Sequence, residues 1–397
     1  MKDGNFNRLA RFVMEACTSF GTVLYLNYLY FFMQARDGWS DRENLALAAG
    51  LGLICAGASW LAGRVAHRFG YLNTLVWAFG LILSGLLFSI FFEGMSHAAP
   101  LFFISAAVLV CLGMSAVWPT LEAMVSEGAK AGQVSREVGI YNIVWAAAYA
   151  TAFFCGGALI DQFGFAIIFR LPLILLVVAF LLAIWMKCQP GNFVETTPTL
   201  GDSEGEAGSV KSVNGSFLKM AWIANPFSYI AINTLIAVLP GVAHRLRLDT
   251  GAAGVLCSLW CFARLAAFLV LWRWTGWHYR FGWLVAALVL LIVSFAAILT
   301  MPWLAVVLPA QLAFGYATGL IYYSSLYYSM ETGGAKSEYG GIHEAAIGLG
   351  NCAGPAVGAL SMQMAGENPW SGAAGVTLLL GLGLVAVVRI RLQRGNQ

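Results

Sequence analysis

The hydrophobic positions of this chain come in long, nearly unbroken blocks, where a soluble chain would alternate apolar with polar residues. A helix that crosses a bilayer needs about 20 mostly apolar residues. Twelve blocks meet that length, at about 11–33, 43–66, 71–92, 100–125, 137–160 and 165–186, then 219–242, 251–274, 281–300, 303–330, 339–364 and 370–388. Between the sixth and seventh lies a polar, Gly- and Ser-rich stretch with acidic residues, too poor in apolar side chains to build a core. The pattern therefore predicts an all-α membrane protein. Residues 1–186 form one six-helix half, 187–218 a cytoplasmic linker, and 219–397 a second six-helix half.

Composition changes the picture only by excluding alternatives. Hydrophobic residues make up 60% and charged residues 10%, against roughly a quarter charged in a soluble domain. So little charge could not cover a water-exposed surface of this size. The N-terminal run is too long for a signal-peptide core and carries Glu15, so it is expected to be the first span. Basic residues are scattered without a stripe, which argues against nucleic acid. The eight cysteines stand singly in apolar stretches, without metal-ligand spacing, so they are expected to be small buried hydrophobes rather than metal ligands or a disulfide framework. No Walker-type GxxxxGKS/T string is present, which argues against direct ATP drive.

Lys and Arg set the orientation. With the N-terminus in the cytoplasm, sixteen Lys/Arg fall on the cytoplasmic side and five outside. The C-terminus is then cytoplasmic too.

A repeat links the halves. The loop after span two reads HRFGYL (67–72) and the loop after span eight reads YRFGWL (279–284). Gly70 and Gly282 are expected to take positive φ in tight turns. In the fifth helix of each half GIYN (139–142) pairs with GIHE (341–344), and Gly157-Ala158-Leu159 pairs with Gly358-Ala359-Leu360. The separations are 212, 202 and 201 residues, in one order, as an ancient duplication would leave them.

On these residues the chain resembles the major facilitator superfamily, in a bacterial-type form with twelve spans. That family carries a Gly-x-x-x-Asp-Arg-x-Gly-Arg-type loop between helices two and three. Gly63, Arg68 and Gly70 match it, with Arg280 and Gly282 in the second copy, whereas His67 replaces the Asp and Tyr71 the last basic residue. The Asp ordinarily joins a cytoplasmic latch, so His67 puts that latch in question. Many drug/proton antiporters of the family carry GxxxGPxxGG in helix five. Here GNCAGPAVGA (350–359) lies in helix eleven instead, and Gly350, Gly354 and Gly358 are expected to be a helix-packing face. The resemblance implies two pseudo-symmetric bundles, a site near the midplane, and a functional monomer in the cell membrane, the bacterial inner membrane.

Charged groups inside a span are site candidates by default. Arg264, deep in span eight, could meet a polar or anionic substrate group, or be neutralised by carbonyls or a carboxylate. Glu15, Glu122, Arg136, His343 and Glu344 are candidates for proton coupling or a cytoplasmic gate, and Arg11 and Glu15 could pair along one helix. Asn27, Asn142, Asn233, Gln311 and Asn351, with Tyr28, Trp118, Trp145, Trp260 and Tyr323, are candidates for substrate contact, and intramembrane amides and aromatics also serve structure. Amides beside aromatic faces favour a neutral polar solute such as a sugar or nucleoside. The expected function is therefore alternating-access secondary transport, by symport or uniport, of a small-molecule substrate, with protons a further candidate partner beside the lipid bilayer. Efflux of amphipathic drugs or metabolites is the alternative, and a non-transporting sensor or a polytopic enzyme is remote. No cofactor, metal or catalytic residue is expected; the five histidines scatter over different loops and both faces.

Overall fold

In a computed structural model the chain is all-helical where it is described, namely residues 2–95, 99–127, 134–189, 210–333 and 337–395. Within these, the side chains of 2–5, 126–127, 134–135, 138, 210–214, 330–333, 337–345 and 394–395 are not described. Thirteen helices follow one another: α1 (Lys2–Asp37), α2 (Asp41–Phe69), α3 (Tyr71–Glu93), α4 (Pro100–Glu127), α5 (Val134–Phe163), α6 (Ile167–Cys188), α7 (Val210–Ala237), α8 (Leu239–Arg245), α9 (Thr250–Arg273), α10 (Phe281–Thr300), α11 (Leu304–Gly333), α12 (Ser337–Met364) and α13 (Pro369–Gly395).

Among the described residues nine helices are long and apolar enough to cross a membrane, and the bent pair α7–α8 makes a tenth. Asn27 and the tyrosines 25, 28 and 30 lower the hydropathy of α1, which is otherwise long enough to span. The expected seventh span is two helices meeting at 56°. Pro240 sits in the first turn of α8, where its missing N–H costs nothing and the preceding helix cannot run through. Helix α7 also begins at Val210, inside the stretch expected to be linker.

The packing repeats. In the first bundle α1 lies against α5 and α6, α3 against α4 and α6, and α2 against α4. In the second, α7 lies against α12 and α13, α10 against α11 and α13, and α9 against α11. The bundles meet through α2 on α12 and α5 on α9, each the second helix of one against the fifth of the other. That reciprocity is a two-fold relation about an axis between them.

Small residues let these crossings close. A Cβ on Gly52 would strike the backbone of Asn351 and Cys352, one on Gly348 would strike Ala56, and one on Gly157 the carbonyl of Thr250. Gly350 and Gly354 pack on the α7 backbone at Pro226 and Ile230, whereas Gly358 meets only the side chains of Leu45 and Val376. Large side chains such as Leu87, Ile174, Val293 and Leu378 are exposed around the outside, where lipid replaces water as their neighbour.

The two copies of the repeated loop turn at different positions and with different residues. Gly70 has φ 85° and its N–H caps α2 on the Ala66 carbonyl. Gly282 does not match it; it lies inside the first turn of α10, and the positive φ of that loop is at Tyr279, 54°. Tyr279 bears this because its N–H donates to the Tyr328 hydroxyl at 2.9 Å and its ring packs on Tyr328. Gly63 has open space around it. His67, Arg68 and Arg280 are exposed, with Arg68 lying over the Phe69 ring.

One cysteine expectation is corrected. Cys55 on α2 and Cys111 on α4 form a disulfide with Cα atoms 6.1 Å apart, while Cys17, Cys155, Cys188, Cys257, Cys261 and Cys352 are free. Singly spaced cysteines gave no signal for it, because the pair is joined by packing of two helices 56 residues apart in sequence.

Candidate functional site

A cavity of about 190 Å³ lies between the bundles. Its walls are helical stripes. On α1 the polar positions Glu15, Ser19, Thr22 and Tyr30 recur every three, four or eight residues, which puts them on one face. On α5, Tyr141, Trp145 and Tyr149 are four apart; on α4, Cys111, Met114, Trp118 and Glu122 form a third stripe. Helix α2 adds Ala48, Leu51, Gly52 and Cys55, so the disulfide borders the cavity. From the second bundle come Tyr229 and Asn233 on α7, Arg264 on α9, Tyr322 on α11, and Ile347 and Asn351 on α12.

Eight of the expected site residues thus meet in one space: Asn27, Trp118, Trp145, Asn233, Arg264, Asn351, Glu15 and Glu122. Asn233 Nδ2 donates to Asn351 Oδ1, joining α7 to α12. Trp145 Nε1 donates to Asn142 Oδ1 at 2.8 Å, and the Tyr322 hydroxyl donates to the same oxygen at 3.3 Å. Asn142 itself is therefore a support behind the wall.

Four other candidates lie outside the cavity lining. The Tyr28 hydroxyl donates to the Phe153 carbonyl at 2.7 Å, in the tight contact where Gly156 and Gly254 approach its ring. Trp260 is 1% exposed and packs among Tyr149, Phe153 and Phe314. Gln311 is fully buried outside the cavity, with neither amide atom partnered among the described residues. Tyr323 packs on Phe268 and Trp277. Each lies on a helix that contributes to the cavity or supports it, but on another face.

The expected gate pairing is also corrected. Arg136 is exposed and makes no ion pair with Glu15 or Glu122. Arg8 instead bridges to Glu137, at 2.8 Å. Arg11 does not pair with Glu15; it donates to the carbonyls of Asn7 and Met124, pinning α1 to α4. Glu15 accepts from the Ser19 hydroxyl at 2.6 Å and from Tyr141, and it faces Glu122. The side chains of His343 and Glu344 lie outside the described residues.

Among the described residues Arg264 has neither the carboxylate nor the carbonyls that one of its two readings called for. The guanidinium carbon lies 4.9 Å from the ring centres of Trp145 and Tyr322, 5.6 Å from Phe268 and 5.7 Å from Tyr229. Its Nη2 donates to the Tyr229 hydroxyl at 3.3 Å, a long bond, and no described residue partners Nε.

At the end of the molecule that carries the α1–α2 connection, the bundles are fastened together. Arg42 pairs with Glu367 at 2.9 Å, between α2 and the α12–α13 turn. The Asp41 carboxylate rests on Gly241 of α8, where any side chain would collide with it.

Tyr141 and Tyr229 are among the lining residues that sequence reasoning missed. Both had a signal: each lies four residues before a residue already singled out, Trp145 and Asn233, and so shares its helical face.

A family model described as Major Facilitator Superfamily matches residues 11–355. No curated protein matches by sequence. Among solved structures, the human organic anion transporter MFSD10 superposes with a TM-score of 0.68 at 13% identity, covering 96% of this chain and 99% of that one. A mutant form of the nucleoside transporter NupG gives 0.70 at 12%, covering 96% and 99%. An auto-inhibited POT family peptide transporter gives 0.74 at 12%, covering 98% and 97%. At such identities the likeness is one of fold.

Proposed function

Because the chain belongs to the major facilitator superfamily and is a secondary transporter, we propose that it moves a small polar organic solute across the cell membrane by alternating access, with the central cavity as its binding site. The composition of that cavity carries the proposal: amides, hydroxyls and aromatic faces from both bundles converge on one space. When two bundles rock against each other, a solute held by both is released as the walls part.

The volume limits the cargo. About 190 Å³ is below the 300–1,000 Å³ usual for drug-sized ligands. That favours a solute of monosaccharide size over a bulky amphipathic dye. Structures of similar fold include transporters described for nucleosides, peptides and organic anions, so side chains of this cavity, not the fold, choose the class.

Protons are the proposed coupling ion. Glu15 and Glu122 face each other in the cavity without a basic partner among the described residues. A charged carboxylate in such surroundings is costly, and binding a proton removes the cost. The excess of Lys and Arg supports a cytoplasmic N- and C-terminus. The fastened α1–α2 end then faces outward, and the acid pair lies toward the cytoplasm. Residues 1–186 and 219–397 are the moving bodies, 187–218 the cytoplasmic tether, and the monomer is the working unit.

The test is uptake by proteoliposomes of labelled monosaccharides, nucleosides, amino acids, small organic acids and dyes, with and without an inward proton gradient. Saturable uptake of one polar class, stimulated by the gradient, is expected. No flux of any solute under any gradient, or flux of the dyes alone, would overturn the proposal.

A further inference from the structure

Arg264 is the cation of the cavity wall, and no described residue of the protein neutralises it. It is 4% exposed. Four aromatic faces surround its guanidinium. Such faces stabilise a cation, yet they accept N–H bonds poorly. A guanidinium carries five N–H donors in a planar fork. Among the described residues the polar acceptor that reaches it is the Tyr229 hydroxyl.

The cage is held by contacts of its own. Trp145 and Tyr322 are both turned onto Asn142 Oδ1. Their rings meet at 5.8 Å, and Phe268 closes against Tyr322 at 5.7 Å and Trp145 at 6.0 Å. Tyr229 also meets Tyr322, at 6.5 Å. The guanidinium so held makes no ion pair with Glu15 or Glu122. Glu15 has its own donors, Ser19 and Tyr141. A fork with unused donors in a buried wall matches the two oxygens of a carboxylate.

We infer that the transported solute is a small organic acid, and that its carboxylate is the missing partner of Arg264. This rests on the cavity being the solute site. Asn27 and the Asn233–Asn351 pair line the same space and suit hydroxyl or amide groups on the rest of the molecule. The two glutamates select a single negative charge: a dianionic phosphomonoester would bring a second charge toward them. The neutral sugar or nucleoside favoured on sequence grounds would leave the guanidinium fork unfilled.

The experiment compares acids with their primary amides, which match in shape but lack the charge. The probes are glucuronate and glucuronamide, 4-hydroxybenzoate and 4-hydroxybenzamide, nicotinate and nicotinamide, and lactate and lactamide, with glucose 1-phosphate as the phosphate arm. Binding is read from the thermal unfolding midpoint of the purified full chain over a concentration series. At least one acid is expected to bind about tenfold or more tightly than its amide, as a charge-assisted pair requires. Arg264→Gln should erase that preference and Arg264→Lys keep part of it. The acid–amide contrast needs only the native protein, so it decides the matter even if the variants fail to fold. Equal shifts by acid and amide, shifts by amides alone or by glucose 1-phosphate alone, or no shift by any probe would overturn the inference. If acid and amide act equally and Asn233→Ala cancels both, the cavity remains the solute site and only the acid is wrong. If shifts ignore both Arg264 and Asn233, the cavity is not the solute site either.

Discussion

Glu15 and Glu122 on the first-bundle wall and Arg264 on the second-bundle wall border the same space, yet opposite means hold them. Glu15 sits beside hydroxyl groups, and the cation sits among rings. Among the described residues no ion pair joins the two walls inside the cavity. At the α1–α2 end the bundles do use one, Arg42–Glu367, with half-exposed partners. The difference is instructive. A salt bridge across the cavity would fill it with the protein's own charges and bind the walls together. Keeping the charges apart matches the proposal of one wall for a proton and the other for solute.

The largest effect is expected at the acid wall. Glu15→Gln with Glu122→Gln should abolish gradient-driven accumulation while solute exchange at equal concentrations continues. A one-proton symporter accumulates its solute about tenfold per pH unit, so the inside-to-outside ratio should fall to one. Accumulation that survives the double change would remove these acids from coupling and leave the contrast between walls without function.

Next is the seam that brings the walls together. Gly52→Val places a side chain against the Asn351–Cys352 backbone. Overpacking of this kind costs about 1–3 kcal/mol. Transport should be lost, and the unfolding midpoint lowered, with normal membrane insertion. A native midpoint with native transport would mean that α2 and α12 need not approach so closely.

A smaller effect tests the rigidity of the cation wall. Tyr322→Phe keeps the ring over Arg264 and removes the hydroxyl that reaches Asn142. The lost hydrogen bond is worth about 1 kcal/mol, so solute affinity measured by titration should fall less than tenfold. A loss as large as that of Arg264→Gln would make Tyr322 itself a solute contact. Least of all, Arg42→Ala should shift stability by about 0–1 kcal/mol, because both partners of the pair are half in solvent. A loss of several kcal/mol would show that the fastened end, rather than the α2–α12 and α5–α9 seams, holds the bundles together.

The sequence by itself determined the membrane as solvent, the duplicated six-helix plan and the unusual depth of Arg264. Apolar block length, loop charge and the HRFGYL/YRFGWL repeat are local properties that folding does not alter. It also contained the α1 stripe of Glu15, Ser19, Thr22 and Tyr30, since helical spacing fixes which side chains share a face. It could not say which way each face turns. In a soluble helix the apolar side marks the interior, but lipid is as apolar as a core, so that marker is lost. Hence Asn27 and Asn142 read alike in sequence, while only Asn27 reaches the cavity. Tyr28, Trp260, Gln311 and Tyr323 fall outside the lining for the same reason. The Cys55–Cys111 bond, the positive φ at Tyr279 and the break before α8 each depended on a neighbour distant in the chain or on a backbone choice that packing decides. Arg264 joins the two. Its position announced a buried charge; only the assembled helices surrounded it, among the described residues, with rings instead of a carboxylate.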